Sequence, residues 1–182
     1  LTSKKLRFRL SCWVIFILTL IFFTSCQSSS SAKLEVTKEV IRTYPFSDPD
    51  PVPIMVRSGM WGKGARLYPY FFIDRMSLTA EDQEWTVVRL ENPFLRVEIL
   101  PEVGGKVWGA LDKGTGKYFI YKNHVLKFRE IALRGPWTSG GIEFNFGIVG
   151  HSPSTASPVD YLTRREPDGS VTCFVGTWDW PS

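Results

Sequence analysis

The apolar positions of this chain fall into two regimes. Leu10 to Phe23 is a mostly unbroken apolar run, preceded by Lys4, Lys5, Arg7 and Arg9 and closed by Thr24-Ser25-Cys26. From Leu34 onward the apolar residues come in short runs, often alternating with polar ones and separated by Gly, Pro, Asn and Asp. Period-two alternation places one set of side chains on one strand face, so short alternating runs between turn signals predict strands. Leu34, Val36 and Val40 predict an early strand, and the proline-rich stretch Pro45 to Pro53 an extended connector. Arg66 to Ile73 is rich in Tyr and Phe. Trp85 to Leu90 predicts a strand ended by the turn pair Asn92-Pro93. Leu95, Val97 and Ile99 alternate with Arg96 and Glu98, which predicts a strand wet on one face. Pro101 to Gly105 turns the chain, and Val107 to Leu111 and Tyr118 to Tyr121 flank Asp112-Lys113-Gly114-Thr115-Gly116 as a hairpin. Further strands are expected at Glu130 to Leu133, Ile142 to Phe146 and Val171 to Trp178. The run Ser170 to Trp178 reads as a strand whose hairpin partner is absent, and the chain is expected to be a fragment of a longer protein. No long stretch has a helical period and no internal repeat is visible, so the fold class is all-β, a sandwich or barrel.

The first regime is a targeting signal. A basic start, a short apolar core and small residues before a cleavage point define a secretory signal, and the run falls short of the roughly 20 residues of a spanning helix. Cys26 directly after Thr24-Ser25 resembles the lipobox of bacterial lipoproteins, whose cysteine is lipidated and becomes the first residue of the mature chain. The serines Ser28 to Ser31 read as a flexible tether. The expected organisation is therefore 1–25 signal peptide, 26–33 tether, 34–65 N-terminal strand and proline-rich lead-in, and 66–182 sandwich domain. By resemblance to lipoprotein sorting signals, the absence of an acidic cluster after Cys26 implies an outer-membrane anchor on the periplasmic face.

Charge adds an exclusion. Of 22 basic residues four lie in the signal, leaving 18 to balance the 18 acidic ones. The mature chain is thus neutral overall and gives no argument for nucleic acid. Cys12 leaves with the signal and Cys26 takes lipid, so Cys173 is the remaining thiol, expected buried and inert. One thiol makes no internal disulfide, and two distant histidines without cysteine pairs predict neither a metal site nor a cofactor.

Candidate chemistry gathers at Gly140-Gly141-Ile142-Glu143-Phe144-Asn145-Phe146. Paired glycines let a backbone pass close to a ligand. In a strand from Ile142, Glu143 and Asn145 share a face, and a carboxylate beside an amide suits the vicinal hydroxyls of a sugar. Trp137 could stack on a sugar ring, and Arg134 could hold a carboxylate. The same residues also fit a structural role, with Glu143 pairing an arginine and Asn145 closing a turn. His151 sits in a loop composition, Gly150-His151-Ser152-Pro153, and reads either as an acid–base group or as a loop histidine. His124 reads as structural or surface. Asp160 and Tyr161 read as ligand contacts or as turn and packing residues.

The run from Asn92 to Trp108, including Leu95-Arg96-Val97-Glu98-Ile99-Leu100-Pro101-Glu102-Val103-Gly104-Gly105-Lys106, resembles the opening of a galactose-mutarotase-like domain. More narrowly it is similar to an uncharacterised bacterial domain often found ahead of tetratricopeptide repeats. Tyr68-Pro69-Tyr70, the block Leu133 to Phe146, Gly150-His151 and Ser157-Pro158-Val159-Asp160-Tyr161 carry the same resemblance. The sequence departs from it at Gly147, where a proline is expected, and after Gly176. The resemblance implies a large antiparallel supersandwich of which this chain supplies the first part. It also implies carbohydrate as ligand, with Glu143 and His151 as a catalytic base and acid and with Arg134, Trp137, Asn145, Asp160 and Tyr161 as substrate-binding residues. Three functions stay open: a carbohydrate-active enzyme (epimerase, hydrolase or lyase), a non-catalytic carbohydrate-binding module of a sugar-uptake system, or a truncated product without function. Fold resemblance does not by itself establish activity.

Overall fold

The computed structural model describes residues 32–48, 53–56, 66–71, 75–130, 136–144 and 153–178. Cys26, Arg134, Asn145 and His151 lie outside them, as does the signal. The strands are β1 (Lys33–Tyr44), β2 (Pro53–Val56), β3 (Arg66–Phe71), β4 (Glu81–Glu91), β5 (Leu95–Leu100) and β6 (Lys106–Asp112). They continue with β7 (Lys117–Ile120), β8 (Val125–Glu130), β9 (Pro136–Thr138), β10 (Asp160–Arg165) and β11 (Val171–Gly176). One 3-10 turn, Pro153–Ala156, precedes β10.

Seven strands form one sheet in the order β7-β6-β5-β4-β1-β8-β9, and β2-β3 and β10-β11 are separate hairpins. Neighbours are antiparallel except β1 and β8, which run parallel. The sheet is therefore mixed, and it curls into a half-barrel. Past β9 the chain returns to it, and Ile142 bridges Val107 on β6.

The expected strands at Val36, Trp85 and Leu95 are present, as is the hairpin of β6 and β7. In that turn the Asp112 carboxylate accepts from the backbone N–H groups of Gly114 (2.8 Å) and Thr115 (3.2 Å), a side-chain-to-backbone closure typical of aspartate. Asn92 ends β4 in the same way, its Oδ1 accepting from the N–H groups of Phe94 and Leu95.

One sheet face holds the core. Val87, Leu100, Val103, Trp108, Leu126, Phe128 and Ala156 are buried together, with Ile41, Phe46, Met76 and Trp85 packed against them. Phe46 and Phe128 meet edge to face at 4.5 Å, and the Trp85 indole N–H donates to Thr43 Oγ1 at 2.9 Å. Each large apolar side chain removed from water stabilises by about 1.5–3 kcal/mol.

Four expectations need correction. Glu98 does not face water: it is 3% exposed. Arg89 stands between Glu35 and Glu98 in a cross-strand row over β1, β4 and β5. Glu98 also takes the Lys122 ammonium and, at 3.3 Å, the Tyr118 hydroxyl. Gly109, opposite Glu98, clears their path, because a Cβ there would lie 3.0 Å from both the Tyr118 ring and the Lys122 side chain. Burial works against the Arg89 charge, but Glu35, Glu39 and Glu98 outweigh it and raise its pKa.

The strand of Val171 to Gly176 has a hairpin partner after all, β10, paired from Asp160↔Gly176 to Arg165↔Val171. β10 carries three charges in six residues and no apolar alternation, so backbone pairing rather than a hydrophobic pattern defines it. Finally, no strand runs from Ile142 through Phe144; Ile142 makes one isolated bridge, and Glu143 and Phe144 are irregular. Cys173 is only half-buried, and burial raises its thiol pKa.

Candidate functional site

Lys106 opens β6 directly after Gly104 and Gly105, whose φ values of 66° and 65° turn the chain into the strand. A Cβ on Gly105 would meet the Val175 side chain at 2.7 Å, so β11 presses against this turn. Two hydrogen bonds fix the turn further: Gly104 N–H donates to Ser157 O (2.8 Å) and Val159 N–H to Pro101 O (3.0 Å).

Lys106 alternates in register with Trp108, and both side chains are buried, Lys106 at 2% exposure. Its ammonium donates to the Thr138 carbonyl and lies 5.7 Å from the centroid of the Trp137 ring. Burial drives its pKa down to about 8, against the opposing attraction of the Glu143 carboxylate. Glu143 in turn accepts from the Thr155 hydroxyl at 3.5 Å, and Thr155 is a buried residue of the 3-10 turn. Three segments thus meet: the start of β6, the β9-to-Glu143 stretch and the 3-10 turn.

Of the sequence-predicted residues, Trp137 and Glu143 come together here, both half-buried. Asp160 and Tyr161 lie on β10, exposed and paired with Gly176 and Val175. The paired glycines have a different job from the one expected. Gly141 (φ 69°) lets the chain lie against β6: its N–H donates to Tyr121 O at 2.7 Å, and Ile142 N–H donates to Val107 O at 2.8 Å. They make room for the protein's own backbone.

Lys106 is the residue that sequence reasoning missed. The signal was present: two positions before Trp108 on one strand, it must share the face of that core residue. A buried lysine with a depressed pKa beside a carboxylate marks a functional-site candidate on physical grounds. Chemically, the arrangement offers an acceptor in Glu143, a ring face in Trp137 and a cation sealed behind both.

Comparison with known proteins bears on this region. The family described as "Domain of unknown function (DUF5107)" matches residues 63–182. A TPR-domain containing protein from Parabacteroides distasonis, known from a crystal structure, is similar at 27% sequence identity with a TM-score of 0.63. The match covers 76% of this chain and 23% of that one, so this chain spans under a quarter of that protein's length.

Proposed function

This chain belongs to the DUF5107 family, and from that premise we propose that it is an exported lipoprotein that binds or processes carbohydrate through a galactose-mutarotase-like domain, with Trp137 and Glu143 at the ligand. The convergence of Trp137 and Glu143 on the buried Lys106 carries this reading. A carboxylate accepts from sugar hydroxyls, an indole face covers the apolar face of a pyranose, and Lys106 holds the two in place without reaching solvent. Turnover needs a second acid–base group, for which His151 is the proposed acid, with Arg134, Asn145, Asp160 and Tyr161 as further contacts. Without it the domain is a binding module. The basic start, the apolar run and Thr24-Ser25-Cys26 support export and lipidation, with an anchor in the outer membrane facing the periplasm.

The test is a glycan-binding screen of the full chain, followed by titration of Glu143→Gln and Trp137→Ala. Each should weaken the affinity tenfold or more. Unchanged affinity in both variants, once they are shown to be folded, removes the site. An anomer-interconversion assay on the bound sugar, with His151→Ala as comparison, separates enzyme from binding module. Labelled palmitate should appear on the protein, and Cys26→Ser should abolish the label; label retained in that variant refutes lipidation.

A further inference from the structure

The start of β1 and the β10–β11 hairpin are joined at one point. The Arg165 guanidinium, at the turn end of β10, donates to the carbonyl oxygen of Ala32 at 2.7 Å, and Ala32 directly precedes β1. Cys26 lies six residues before Ala32. Six residues reach about 20 Å when fully extended, and a flexible polar tether of that length averages roughly 13 Å. An acyl chain on Cys26 therefore keeps this hairpin close to the bilayer that holds it.

The hairpin turns an apolar face outward. Val175 packs inward, its side chain filling the space that a Cβ on Gly105 would need. Successive residues of a strand point to opposite faces, so Phe174 points away from that turn. Leu162 is the direct cross-strand partner of Phe174 and shares its outer face. Leu162 is 61% and Phe174 46% exposed, although an apolar cross-strand pair is ordinarily a unit of packing. Arg164 stands on the same face, two residues past Leu162, with its guanidinium 5.2 Å from the centroid of the Phe174 ring. Trp178, two residues beyond the end of β11, is exposed as well.

An aliphatic side chain, an aromatic ring and a stacked guanidinium on one exposed face suit the boundary between lipid headgroups and acyl chains. The apolar bodies leave water there while the charged tip stays among the headgroups. Arg164 gives its Nε–H to Glu166, and a guanidinium has further N–H donors in the fork that matches a phosphate. We propose that the outer face of the β10–β11 hairpin is a membrane-contact surface, with Leu162 and Phe174 at the acyl boundary of a phospholipid bilayer and Arg164 at its phosphates. The inference rests on lipidation of Cys26 and needs neither Trp137 nor Glu143.

The experiment uses the full lipidated chain in vesicles of phosphatidylcholine and phosphatidylglycerol. An environment-sensitive fluorophore is attached to Leu162→Cys or Phe174→Cys, each with Cys173→Ser, and quenched by spin-labelled phospholipid. Leu78→Cys is the comparison. Leu78 is exposed, and its neighbour Ser77 bonds to Pro45 past the other end of β1, about 40 Å from Ala32 at ~3.3 Å per residue. Both hairpin positions should be quenched at least fivefold more than Leu78. Equal quenching at all three positions, or none at the hairpin, overturns the proposal. A blue shift at the hairpin without quenching by lipid means that a protein surface, such as a second copy, covers this face, and overturns it too. Labelled palmitate is counted on the same preparations. Palmitate present beside an unquenched hairpin refutes the contact alone, whereas palmitate absent refutes lipidation and the inference with it. If Cys173→Ser does not fold, Cys173→Ala takes its place with the same outcomes.

Discussion

The carbonyl oxygen of Val107 occupies the space that a Cβ on Gly141 would need, well inside contact distance. The two residues belong to strand β6 and to the returning chain after β9, and the Ile142 N–H donates to that same carbonyl. Gly141 is therefore fixed twice, by its positive φ of 69° and by the backbone it touches.

Gly141→Ala should cost more than ~3 kcal/mol of unfolding free energy, with Gly116→Ala as comparison. Gly116 has the same φ of 69° but nothing within 4 Å of its Cβ position, so it reports the left-handed conformation alone, about 1–2 kcal/mol. Urea denaturation of both variants checks this. Equal losses would mean that the contact with β6 is not tight.

Stability should rise with pH between about 8 and 10.5, because Lys106 binds its proton less well folded than unfolded. The sign follows from a base whose folded pKa is depressed: across this window the unfolded chain holds more protons. The gain is on the order of 3 kcal/mol, since each pKa unit is about 1.4 kcal/mol. Comparing wild type with Lys106→Met isolates it from other titrating groups, and the variant should lack the rise. Glu143→Gln removes the attraction that opposes burial, so the rise should begin below pH 8.

Glu98→Ala should destabilise by about 3 kcal/mol or more, because Lys122 and Arg89 lose a buried counter-charge. Replacing both partners, Glu98→Met with Lys122→Met, should cost less than Glu98→Ala alone, since it leaves one fewer unpaired charge. Thermal unfolding of the three proteins orders them, and the reverse order would contradict the buried-pair account.

In acid the contacts of Glu91 should be lost progressively between pH 4.5 and about 2. Hydrogen bonds from Lys113 and Arg96 hold the Glu91 carboxyl down at about 2. A depressed carboxylate stabilises above its unfolded pKa, and that contribution disappears as pH falls from 4.5 to about 2. The urea midpoint of wild type should therefore converge on that of Glu91→Gln across this window. Parallel curves would show that the pair contributes nothing.

The strands legible in the sequence are those in which apolar residues alternate, such as Leu95-Val97-Ile99, or in which a turn carries its own closure, as at Asp112. β10 was not legible, because Asp160-Tyr161-Leu162-Thr163-Arg164-Arg165 has no apolar stripe and is defined by its backbone pairing to β11. Glu98 misled for a related reason: alternation marks a charged residue as wet, while Lys122 and Arg89, which permit its burial, are distant in sequence. At the candidate site, Trp137 and Glu143 could be chosen by residue type. Lys106 could not be chosen by type, only by its register with Trp108. The meaning of Gly140-Gly141 depended on a neighbour, β6, that no local pattern announces.

β1 comes first along the chain yet lies in the middle of the sheet, with β4 on one side and β8 on the other. The run from β4 to β7 is a meander of short loops whose contacts close quickly, whereas β1 must reach strands that emerge well after it. During synthesis, then, the earliest strand waits with its apolar positions unpaired until β4 is made. The parallel join to β8, three residues long, has to wait longer still. Whatever delays β4 leaves β1 as an open sheet edge, the form in which a chain of this kind is most prone to pair with a second copy of itself.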